Sequence, residues 1–178
     1  FIRAYKKVMN GPSNEDKNYK LIKAEGPASL DSFKAKIALY AREVDPENPP
    51  PLVNKIAKIR GTKMVIEYSD PKISGVSGVQ TIGVALAGSL IDHLNGVNSE
   101  SQNELDFLLK QSEPISHHKW DHKNQKLKQY RASNSVLSIN RNIVKSFRKM
   151  VKEAREEPMG EHSTLFSKIF NIGGSGSG

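Results

Sequence analysis

Between Ser135 and Glu157 two stripes run along one predicted helix, and no other stretch narrows the fold as much. Val136, Ile139, Ile143, Val144, Phe147, Met150, Val151 and Ala154 recur with the helical period and form an apolar side. Arg141, Lys145, Arg148, Lys152 and Arg155 follow at intervals of 4, 3, 4 and 3, which sets five cations on an opposite stripe. Like charges at these spacings repel by roughly a few tenths of a kcal/mol per pair. The apolar side therefore predicts a core to pack on. The cationic side predicts a polyanion, since each neutralised phosphate releases counterions. A solvated helix face is the plainer reading of the same stripe.

The charge of the whole chain is concentrated here. Of a formal net charge of +8, residues 1–116 supply almost nothing, with 15 basic against 14 acidic side chains. Residues 117–155 hold 11 Lys and Arg against Asp121 and Glu153. A basic block on a near-neutral body makes a local field, and local fields recruit partners. The expected organisation follows this division. Residues 1–116 form a globular body, and residues 117–157 a basic arm and amphipathic helix packed on the same domain. Residues 158–172 form a short apolar tail, and residues 173–178 a Gly/Ser linker remnant.

With 178 residues the chain is long enough for one domain with a sizeable core. It has no cysteine, which excludes disulfides, Cys-based zinc sites and a cysteine nucleophile, and fits a reducing compartment, the cytoplasm or nucleus. No apolar run approaches the roughly 20 residues that span a bilayer, and no secretory signal is visible. The chain opens on Phe1, which reads as a trimmed or processed start.

Periodicity suggests a mainly α fold, with α+β as the alternative. Ile2 to Met9 is a short helix or strand, and Tyr19 to Ala24 a short strand. Phe33, Ile37, Leu39, Tyr40 and Val44 predict a helix from about Ser29 to Val44. Leu52 to Ile59 favours a helix, and Thr62 to Tyr68 alternates as a strand. Ile82, Ala85, Leu86, Ser89, Leu90 and His93 predict a buried helix from Thr81 to Leu94. Ser99 with Gln102 reads as a capping box opening a helix to about Gln111. Residues 116–134 form an exposed helix or an ordered polar arm.

That arm adds Lys119, Lys123, Lys126, Lys128 and Arg131, with Trp120 and Tyr130 interleaved. Aromatic rings among cations suit unpaired bases, the rings stacking while the cations hold phosphates. Trp120 and Tyr130 are therefore base-stacking candidates, against the plainer reading that they anchor the arm. His118 and His122 would lie i, i+4 on a helix beside His117 and Asp121, but no Glu follows as a hydrolytic zinc motif requires, and no metal or other cofactor is expected. Gly75 to Gly78 lacks a phosphate-loop lysine. No nucleophile–base arrangement is legible, so no catalytic residue is assigned and the chain is read as non-enzymatic.

The leading expectation is a nucleic-acid-binding structural or assembly protein, RNA favoured, acting through this basic helical surface. A peripheral, matrix-like protein on anionic lipid is one alternative. An adaptor for an acidic protein partner is another. Leu165, Phe166, Ile169 and Phe170 in the tail are the expected contact for a homo-oligomer or protein partner.

Overall fold

Five strands pair into one mixed sheet in the order β1-β2-β5-β3-β4. The computed structural model describes residues 1–156, apart from residues 14, 31, 46, 62 and 73–79 and the side chains of residues 155 and 156. Its strands are β1 (Tyr19–Glu25), β2 (Lys34–Glu43), β3 (Ile56–Ile59), β4 (Val65–Ser69) and β5 (Thr81–Ala87). Three α-helices accompany them, α1 (Ile2–Met9), α2 (Ser99–Ser112) and α3 (Ser133–Glu156). All neighbours pair antiparallel except β3 with β5, which run parallel.

The sheet is covered on both faces. Along β2, Ile37 and Leu39 join Ala85 and Ala87 of β5 beneath Leu105, Leu108 and Leu109 of α2 and Ile139, Ile143 and Phe147 of α3. The alternate residues Ala38 and Tyr40 join Val84 and Leu86 beneath Ala4 and Val8 of α1 and the chain around Leu90, Ile91 and Leu94. This is the period-2 division of a strand between two cores.

The architecture overturns the mainly α expectation in favour of α+β. Two expected helices are the central strands. Every residue of β5 is buried, because β2 and β3 flank it and helices cover both its faces. Such a strand shows no polar alternation, and a continuous apolar run matches helical spacings by default. β2 has the same position and pairs along its length with β1 and β5. The segment from Leu52 likewise yields strand β3 in place of a helix. The expected strand at Thr62 to Tyr68 is found as β4.

The start of α2 also differs. Its N-cap is Asn98, whose side-chain oxygen accepts from the Ser101 amide at 2.8 Å, so Ser99 and Gln102 form no capping box. Gln102 is buried and donates to the Lys36 carbonyl at 3.1 Å. One turn further, Asp106 accepts from the amides of Gly61 and Ser89, both at 3.2 Å, and from the Ser89 hydroxyl at 2.7 Å. Its carboxylate occupies the space where side chains at Gly61 and Gly88 would stand. α2 is thereby locked to the turns after β3 and β5.

Candidate polyanion interface

α3 divides as its stripes predict except at Ala154, near its end. Val136, Ile139, Ile143, Phe147, Met150 and Val151 are buried, Val144 is half-buried, and Ala154 is exposed. The helix lies on β1, β2 and β5 and against α2. Arg141, Lys145, Arg148 and Lys152 are exposed. The Arg148 Nε donates to the Pro71 carbonyl at 2.5 Å, which fixes that guanidinium beside the end of β4. Lys149 pairs with Glu153 at 3.4 Å, both well exposed, a contact worth little in water. The Arg155 side chain lies outside the described residues, as do Leu165, Phe166, Ile169 and Phe170 of the tail.

Residues 113–132 are a tethered coil ending in a 3-10 turn at Gln125–Tyr130. Lys119, Lys123, Lys126, Lys128 and Arg131 are exposed along it, Lys119 pairing with Asp121 at 3.1 Å. Two buried ionic clusters hold this coil. In the first, Glu113 accepts from the Arg60 Nε at 2.5 Å and Nη2 at 2.9 Å, with the His117 Nδ1 2.7 Å away. Burial alone would raise the Glu113 carboxyl, but the hydrogen bonds from Arg60 and His117 outweigh it and hold the group below its usual value.

The second cluster centres on Lys58, 2 % exposed. Its Nζ donates to Glu67 at 3.2 Å and to the Asn140 side chain at 2.8 Å, and stands 5.6 Å from the centroid of the Trp120 ring. Burial pushes the Lys58 ammonium down from its ordinary range, against the pull of Glu67. Asn140 in turn donates to the Trp120 carbonyl at 2.9 Å. α3 therefore holds the coil through Asn140, and the coil's cations are carried on a braced support.

Trp120 is not a stacking platform. Its ring is 2 % exposed and belongs to the core between sheet, α2 and α3, so it anchors the coil. Tyr130 is half-buried and meets Phe107 of α2 edge to face, at 5.3 Å between centroids. The histidines do not converge either. Residues 117–121 are not helical, so the i, i+4 spacing of His118 and His122 has no helix to act on. His117 faces Glu113, and His118 faces the Ser116 hydroxyl. Among the described residues no three His, Asp or Glu side chains are placed to hold a metal ion.

Sequence patterning does not mark Lys58, Arg60, Glu113 or Phe107. Lys58 lies within the short apolar strand β3 and Arg60 just beyond its end, and a cation there reads in sequence as solvent-facing. Phe107 carries no signal, because an exposed ring on a helix looks like a core residue in sequence. Among the described residues no helix is long and apolar enough to cross a membrane. No protein-family model, curated protein or solved structure matches the chain.

Proposed function

We propose that the chain is a non-enzymatic nucleic-acid-binding protein, RNA favoured, serving as a structural or assembly component. The observation that carries this reading is the two-sided state of α3: one side is buried in the core, and Arg141, Lys145, Arg148 and Lys152 stand exposed along it. A stripe on a packed helix is rigid, so little side-chain scaffold must be ordered when phosphates arrive. Five more cations of residues 119–131 are exposed on the coil that Asn140 ties to the same helix. RNA as ligand would place the protein in the cytoplasm or nucleus. Self-association through Leu165, Phe166, Ile169 and Phe170 belongs to the same reading, since copies arrayed on one polymer gain avidity.

The test is anisotropy titration of a labelled single-stranded RNA against the parent and Arg141→Glu/Lys145→Glu. These two residues are chosen because Arg148 also supports Pro71. The double variant should lose binding with its circular dichroism unchanged. Parent affinity should fall with salt at a log–log slope of about 0.7 per phosphate neutralised. A folded variant that binds like the parent refutes the reading.

An anionic membrane surface is the second reading, and Ile115 favours it. This side chain is 93 % exposed in the turn before Lys119, an apolar tip beside cations. Co-sedimentation with phosphatidylserine vesicles at the same ionic strength separates the two.

A further inference from the structure

Phe107 keeps 37 % of its surface exposed on a helix whose other large apolar residues are buried. Its partner is Tyr130, with the ring planes at 82°. Tyr130 is held in turn by Ser29, whose hydroxyl donates to the Tyr130 carbonyl. Three exposed cations stand near the two rings in the chain. Lys110 is exposed one turn along α2 from Phe107, and Lys128 and Arg131 are exposed on either side of Tyr130 in the chain. Arg131 adopts φ 51°, the left-handed conformation that closes the 3-10 turn and turns the chain into α3.

The same face of α2 carries acid on its other side. Glu100, Glu104 and Phe107 follow at i, i+4 and i+7 and therefore form one stripe. Glu100 and Glu104 line an open hollow of about 440 Å³ together with Ser29, Leu30, Phe33 and Ser101. Ser29 joins this hollow to Tyr130. Carboxylates only accept hydrogen bonds, so the hollow suits a ligand edge made of N–H donors. The exposed Phe107 ring, one turn along α2 from Glu104, suits a flat base, and the cations suit phosphates.

We infer that Phe107, braced edge to face by Tyr130, is a stacking platform for an unpaired nucleobase, whose donor edge is read by Glu104 while Lys110, Lys128 and Arg131 hold the adjoining phosphates. Guanine fits this edge best. Its N1–H and N2–H groups stand side by side and meet one carboxylate with two parallel bonds, whereas uracil offers a single N–H between two carbonyls. Duplex nucleic acid is excluded, because its base faces and Watson–Crick edges are occupied. The assignment rests on the nucleic-acid reading above and narrows it to single strands containing guanine.

The test compares three labelled probes at one ionic strength: the RNA (UG)6, the RNA U12, and (UG)6 annealed to its complement. The full chain should bind (UG)6 at least about 10-fold tighter than either other probe, over the duplex because its bases are free to stack and over U12 because uracil lacks the paired donor edge. Phe107→Leu should bring (UG)6 to within about 2-fold of its duplex. Glu104→Gln should lower (UG)6 to the level of U12. Circular dichroism checks each variant, and since Glu104 is exposed, Glu104→Gln carries the test if Phe107→Leu does not fold. Parent protein that binds all three probes alike overturns the platform while nucleic-acid binding stands. A folded Phe107→Leu or Glu104→Gln that keeps the full preference also overturns it. Parent protein that binds none of the probes overturns both readings.

Discussion

The Phe147 ring of α3 lies directly on Gly83 of β5, so closely that a Cβ at position 83 would fall 2.5 Å from the ring Cε2. Phe147 is fully buried, and Gly83 sits in the central strand with Ile56 beside it. The missing side chain is what allows the helix bearing the cationic stripe to approach the sheet. Gly83→Ala should cost about 1–3 kcal/mol by overpacking, and Phe147→Ala about 3–5 kcal/mol by leaving a cavity. The double variant should cost less than the sum, since the smaller residue relieves the clash. Urea unfolding measures all three. Strict additivity would show that the two residues do not meet.

Glu113 should make stability depend on pH. Its carboxyl is held below the usual value of 4.5, so its contribution is complete above about that pH and is lost as pH falls through the lower folded value. Glu113→Gln keeps the shape but removes the charge facing Arg60, at a cost of about 1–3 kcal/mol near neutrality. The gap between parent and variant should be widest near neutral pH and should close below about pH 4.5. A gap unchanged down to about pH 3 would show that the charge of Glu113 contributes nothing.

Asn140→Ala tests the link between α3 and the cationic coil. It removes the bond to the Trp120 carbonyl and one of the two acceptors for Lys58. Trp120 is the single tryptophan, so its emission reports on the site alone and should move to the red as water enters. RNA affinity should fall several-fold although no cation is removed, and by less than in Arg141→Glu/Lys145→Glu. Unchanged emission would mean that the coil is held without Asn140.

Light scattering on the full chain and on a chain ending at Glu157 tests assembly through the tail. The full chain should gain mass with concentration, and the shorter chain should remain monomeric with RNA binding weakened by lost avidity. A full chain that stays monomeric at high concentration would remove the tail from the proposal.

α3 was legible from residue order alone because a helix buried on one side advertises its period. Val136, Ile139, Ile143 and Phe147 could satisfy no other regular structure, and the concentration of charge beside them is a property of composition. Strand β4 was legible for the same reason, as an edge strand whose apolar run is interrupted by Glu67. The central strands were not. Once β5 is enclosed by β2, β3 and a layer on each face, all its residues are apolar or small, and the alternation that would identify a strand is gone. The fate of the aromatics was also decided by tertiary contacts. Trp120 and Phe107 are both large apolar residues in sequence, yet the Lys58 and Asn140 cluster draws one into the core, while Asp106 locks α2 to two turns and the other stays exposed. Local patterns specify which side of an element is apolar. Only the packing of distant segments determines which apolar groups remain in contact with water.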